Sequence, residues 1–157
     1  MKSKIPLFPL KLVLFPGGVI PLRIFEKRYV DMVRNCLRNN EPFGIVASIK
    51  TNQENPLPFA NIGVSVKIID TDVSQPGLFN IKCLAEDKIA IESALQNEDG
   101  LWIGNVRVLD PENQIPLPDD LIATKIYFER LLDSLKKESN NESQLPFEEP
   151  YQLDSTN

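Results

Sequence analysis

Histidine is absent from all 157 residues, which removes the commonest general base and the commonest neutral metal ligand. Cysteine occurs only at Cys36 and Cys83, and neither has a second cysteine at metal-ligand spacing. A bridge between the two stays open, although isolated thiols in apolar segments are more often buried small hydrophobes. No G-x-x-x-x-G-K-[ST] loop is present to cradle nucleotide phosphates. No apolar run approaches the ~18 residues needed to span a bilayer. Met1-Lys2-Ser3-Lys4 imitates the start of a signal peptide, but Pro6, Pro9 and Lys11 break the apolar stretch behind it. No small-residue cleavage site follows, so the cytoplasm is the expected compartment. A one-sign charge field is lacking too. The net charge is −5, and residues 139–157 hold Glu142, Glu148, Glu149 and Asp154 with no Lys or Arg, leaving a nearly neutral body.

Proline is plentiful, at 13 positions, and its placement organises the first third of the chain. Prolines 6, 9, 16 and 21 lie in a strongly apolar stretch, each removing a backbone donor and fixing φ, so a continuous helix is excluded. The stretch reads as two short strands, near 5–10 and 19–25, joined by a bend at Phe15-Pro16-Gly17-Gly18. Glu26 to Arg38 then reads as a helix. Tyr29, Val30, Val33 and Leu37 recur at three- and four-residue steps, and Lys27, Asp31, Arg34 and Arg38 fall on the other face. Asn39-Asn40-Glu41-Pro42 stops it, because asparagine tolerates a left-handed cap and proline blocks continuation.

Phe43 to Lys50 reads as a strand and 51–60 as a proline-bearing loop. Alternation of Ile62, Val64, Val66 and Ile68 predicts a half-buried strand to about Asp72. Ser74-Gln75-Pro76-Gly77 is a turn signal. Leu78 to Leu84 and Lys88 to Ala94 read as two strands around a tight Ala85-Glu86-Asp87 connection. Asn97-Glu98-Asp99-Gly100 is another turn, before a last strand from Leu101 to Leu109. Such an array of about seven short strands with one early helix usually closes into a barrel to remove its edges. After a 110–117 linker, Pro118-Asp119-Asp120 suits the positive end of a second helix, with Ile122, Ile126, Tyr127, Phe128, Leu131, Leu132 and Leu135 as its apolar face. From Ser139 the polar, acidic composition predicts a mobile tail.

The ordered opening from Pro6-Leu7-Phe8-Pro9-Leu10 to Phe15-Pro16-Gly17-Gly18 and Phe25-Glu26 resembles the N-terminal, substrate-binding domain of ATP-dependent Lon proteases. Phe43-Gly44-Ile45-Val46, Ile62-Gly63-Val64 with Ile68-Ile69-Asp70, Asp99-Gly100-Leu101-Trp102 and Pro116-Leu117-Pro118 resemble later signatures of the same family. The resemblance thus covers roughly residues 4–135 and is that of a stand-alone bacterial LON-domain protein. It implies a mainly β fold with α: a PUA-like closed or pseudo-barrel of about six to seven strands over 1–112 with one inserted helix. A C-terminal helix over 118–138, packed on or extending from the barrel, and an acidic tail over 139–157 follow. Ala85 departs from the family's usual glycine, and Lys88-Ile89 from its later Arg-Phe pair, which implies a different turn or surface there. Stand-alone members continue into further helices where this chain ends at Asp154-Ser155-Thr156-Asn157. A truncated chain or a shortened natural protein is expected, with the 118–137 helix missing partners.

Catalysis is not expected. Ser65 and Lys67 lie two apart on one strand, but their alternation with apolar residues describes a solvated strand face rather than a Ser–Lys dyad. A turn and a helix start account for the acid pairs Glu86-Asp87 and Asp119-Asp120. The resemblance instead implies a non-catalytic polypeptide-recognition module, without cofactor, metal or membrane. Its partners would be unfolded or degron-bearing chains and a separate Lon protease. Candidate contacts are Phe8, Phe15, Phe25, Phe59 and Trp102. Two alternatives stand beside it. One is RNA binding through Arg23, Lys27, Arg28, Arg34 and Arg38, a set interrupted by Glu26 and Asp31. The other is an adaptor that docks a partner on the 118–137 helix.

Overall fold

The computed structural model describes residues 2–51, 56–110, 115–116, 118, 121–138 and 155–156. It divides into two compact units, Met1–Asp110 and Pro111–Asn157. In the first unit the elements run β1 (Lys2–Leu10), β2 (Val19–Ile24), α1 (Lys27–Asn39), β3 (Phe43–Ser48), β4 (Phe59–Gln75), β5 (Leu78–Gln96) and β6 (Trp102–Val108). The strand order is β2-β5-β4-β3-β1-β6, and β5 also pairs with β6. Five strands therefore close a ring, β5-β4-β3-β1-β6, and β2 lies outside it along the first half of β5. Among the described residues only β1 and β3 pair in parallel, which the β2–α1 crossover between them permits.

Two cores follow from the ring and the helix. On α1, Tyr29, Val30, Met32, Val33 and Cys36 are buried against Phe43, Ile45, Val64, Val66, Phe79, Ile81 and Cys83. Leu37, assigned to that stripe by its spacing, is exposed instead. The second core draws on all five ring strands through Ile5, Leu7, Val46, Phe59, Ile89, Ile91 and Val106. Leu7 sits so close to its neighbours that a Cβ on Gly44 or Gly104 would come within 2.7 Å of it. Strand β3 serves both cores, so Phe43 to Val46 are buried without alternation. The cap of α1 forms as its sequence suggests: Asn40 is left-handed at φ 53°, and the Glu41 N–H donates to the Cys36 carbonyl at 3.1 Å.

Two strand boundaries differ from expectation. Strand β4 begins at Phe59, inside the supposed loop, because Phe59 pairs with Ser48. More consequentially, Leu78–Gln96 is one 19-residue strand, not two around a turn. Val66 pairs with Ala85 and Val64 with Lys88, so Ser65 alone faces Glu86 and Asp87. That is a bulge: the extra residue bends the strand without reversing it. Beyond the bulge β5 exchanges one neighbour for another, pairing with β2 over Phe79–Leu84 and with β6 over Ile89–Gln96.

In the second unit Ile115–Pro116 (β7) pairs with Ser155–Thr156 (β8), and α2 runs from Ile122 to Glu138. The acids Asp119 and Asp120, and residues 139–154 of the expected tail, lie outside the described residues. No helix among the described residues is long and apolar enough to cross a membrane.

Candidate functional site

The bend at Phe15-Pro16-Gly17-Gly18 is built like a type II turn. Proline presets its second position, Gly17 takes φ +79° at its third, and the Gly18 N–H donates to the Phe15 carbonyl at 3.0 Å. The same two glycines dock the turn onto β5. The Gly17 N–H donates to the Ala85 carbonyl and the Ala85 N–H to the Gly18 carbonyl, both at 2.8 Å. Two residues facing one, the first a glycine at positive φ, make a glycine-type bulge. Leu14 packs inward against the helix-side core. Its neighbours cannot follow it, so Val13 and Phe15 are each 69% exposed, with Leu12 exposed beside them. The result is an apolar tip, Leu12 to Phe15, that leads into a turn held by three backbone hydrogen bonds.

The five aromatic candidates do not form one surface. Phe25 is also 69% exposed, but it follows β2 whereas Phe15 precedes it, which separates them by about 20 Å of extended chain. Phe8 is half-buried, its ring centroid 4.2 Å from Tyr29 and 6.5 Å from Phe43. Phe59 is fully buried and meets the half-buried Trp102 edge-on at 5.3 Å. These three build the cores.

The basic candidates are likewise divided. Arg28 donates to the Glu26 carboxylate at 2.9 Å and to the Gly100 carbonyl at 3.0 Å, and lies 4.7 Å from the Tyr29 ring. Arg34 pairs with Asp31 at 3.4 Å and approaches the Phe79 ring at 5.6 Å. Lys27 and Arg38 are exposed on α1. Arg23 lies on β2, where with Pro21, Asp70, Asp72, Asn80 and Lys82 it lines an open groove of about 310 Å³. Lys82 and Asp70 face each other there at 4.0 Å. The groove is thus charged with both signs.

Nothing among these groups is arranged for catalysis. Ser65 is buried, and its hydroxyl accepts the Asp87 N–H at 3.1 Å, while Lys67 is exposed. The hydroxyl satisfies a backbone donor that the bulge strips from the ladder. Burial pushes the Cys36 thiol up to about 11 and the Cys83 thiol to about 12, so both stay protonated and inert. No cluster of metal-ligating side chains occurs among the described residues.

Sequence reasoning missed Leu12 and Val13, and it filed Glu86 and Asp87 as turn residues. The signal for the first pair was available. An apolar run that ends in a Pro-Gly turn has one inward anchor, here Leu14, and must expose some of the rest. The second pair required knowledge of the partner strand. On α2, Ile122, Ile126, Tyr127, Phe128 and Leu131 are exposed.

Comparison with known proteins places this geometry. The profile of the ATP-dependent protease La (LON) substrate-binding domain matches residues 4–157. The crystal structure of a Lon N-terminal domain protein from Xanthomonas campestris superposes with a TM-score of 0.70 at 32% identity, covering 83% of this chain and 73% of that one. A Lon protease of Cytophaga hutchinsonii is 26% identical over 99 residues, 61% of this chain. Lon protease 2 of Myxococcus xanthus is 30% identical over 53 residues, 33% of this chain. The chain spans only 12% and 6% of the length of those two proteases. With its profile matched over almost its whole length and a ring of the same fold, the chain belongs to the LON substrate-binding domain family.

Proposed function

We propose that this chain is a polypeptide-recognition module that binds unfolded segments through the Leu12–Phe15 tip. The observation that carries the proposal is the tip itself: Val13 and Phe15, each 69% exposed, where the chain enters a turn that Gly17 and Gly18 fix to β5. Single exposed apolar residues are ordinary on protein surfaces, but a cluster anchored at Leu14 and at the turn leaves less of the ordering cost to be met on binding. Burying one such side chain is worth roughly 1.5–3 kcal/mol, much of which association consumes, so one tip binds weakly. Several copies, or a partner that holds the same client, would raise the affinity by avidity. A separate Lon protease is the partner that family membership suggests, with unfolded or degron-bearing chains as clients. The module is assigned no chemistry of its own.

The test is titration of a fluorescently labelled, permanently unfolded polypeptide with the intact chain at two salt concentrations, with labelled single-stranded RNA in parallel. Saturable polypeptide binding that survives salt, and that weakens several-fold in Phe15→Ser and Val13→Ser, supports the assignment. Binding of RNA alone, collapsing with salt, would transfer the function to the basic residues. Unaltered binding in both variants would remove the tip from the site.

A further inference from the structure

Beside the tip lies a second feature, and together they specify the kind of segment that fits. The glycine-type bulge sets Gly17 and Gly18 opposite Ala85. Ala85 immediately precedes Glu86 and Asp87, so the turn that carries Phe15 is docked on β5 next to this acid pair. These two carboxylates are consecutive and both exposed, and they form the bulge opposite Ser65. Neither carboxylate makes an ion pair with a described residue. Of the neighbouring lysines, Lys88 is half-buried and already has a partner, and Lys67 stands on β4 opposite Leu84.

The edge of β5 is also open here. Pairing with β2 stops at Val19–Leu84 and the glycine bulge. On the other side β6 reaches only Ile89, with the Leu109 N–H donating to the Lys88 carbonyl at 2.8 Å. Among the described residues no strand covers the outer edge at Glu86 and Asp87. An extended segment laid along this open edge would meet the acid pair beside the docked turn.

We propose that the Leu12–Phe15 tip and the Glu86–Asp87 bulge form one surface, selective for unfolded segments in which an aliphatic or aromatic side chain is flanked by lysine or arginine. The proposal rests on the polypeptide-recognition function proposed above and names its client class. The apolar side chain covers Val13 and Phe15, and the flanking cation meets the two carboxylates at the solvent-exposed rim. Rim charges contribute little affinity and mainly sort partners, so the effect is a preference and not an absolute requirement.

The experiment uses three labelled peptides with one apolar centre and flanks of lysine, serine or glutamate, titrated with the intact chain by anisotropy. At low salt the lysine-flanked peptide should bind about three- to tenfold more tightly than the glutamate-flanked one, a gap that narrows as salt is added. The double variant Glu86→Gln, Asp87→Asn should abolish the gap and leave the serine-flanked peptide within about twofold of wild type, and Glu86→Lys should reverse the order. Thermal melts of each variant establish that the chain is folded. Equal binding of all three peptides, or a preference that survives the double variant, overturns the charge selectivity while leaving the tip in place. Loss of the Phe15→Ser effect on the serine-flanked peptide overturns the underlying site instead.

Discussion

Replacing Gly17 with alanine isolates the backbone conformation that presents the tip. Gly17 adopts φ +79°, and a Cβ built on it meets no heavy atom within 4 Å. The substitution therefore has no packing cost, and only conformation is left to pay for. An L-residue forced to positive φ costs about 1–2 kcal/mol. Alanine also restricts the unfolded chain, which returns about 0.4–1 kcal/mol. The net expectation is a loss of about 1 kcal/mol, a fall of about 4 °C in Tm for the Met1–Asp110 unit. Asparagine tolerates the left-handed region better, so Gly17→Asn should lose less than Gly17→Ala. Urea unfolding followed through Trp102 emission, with thermal melts by circular dichroism, would measure both. Peptide affinity should fall with stability in the alanine variant even where the chain is fully folded, because the turn then aims Phe15 differently. A neutral Gly17→Ala would refute the assigned turn. An asparagine variant as damaged as the alanine one would show that space, not φ, sets the cost.

Phe59→Ala should destabilise the first unit by about 3–5 kcal/mol and red-shift Trp102 emission, since Phe59 is fully buried and edge-on to that indole; peptide binding under folding conditions should change little. Ser65→Ala leaves the Asp87 N–H without its acceptor, which should cost about 1–3 kcal/mol and speed hydrogen exchange at that amide. The two thiols predict a pH effect. Their folded pKa values lie above the ordinary thiol range, so the folded state keeps protons that the unfolded state sheds, and stability falls as pH rises from about 9 toward 11. The loss should reach roughly 1 kcal/mol per thiol at pH 10 and be reduced in the Cys36→Ala, Cys83→Ala chain. The wild-type thiols should react with an aromatic disulfide reagent only when the chain unfolds.

Signals that act over a few residues were legible in this sequence. Pro16-Gly17 encodes its own turn, Asn40 its own left-handed cap, and the 29–37 spacing encodes a helix whose inner face is right except at Leu37. What failed was non-local. Glu86-Asp87 interrupts an apolar alternation, and in isolation that pattern suits a hairpin turn as well as a bulge. The choice is made by the partner strand, where a single buried Ser65 faces both acids and accepts the Asp87 N–H. Exposure is non-local for the same reason. Phe15 and Phe59 each follow an apolar or proline-bearing stretch, and nothing within a few residues of either ranks one above the other. Ring closure seals Phe59 beneath Trp102, whereas the docking of Gly17 and Gly18 on Ala85 holds Phe15 out. The acid pair that looked like a turn and the turn that carries Phe15 meet at Ala85 only because β5 is a single strand. The surface they form is therefore specified by pairing between distant segments, and any change that alters the register at Ala85 should move both halves of it together.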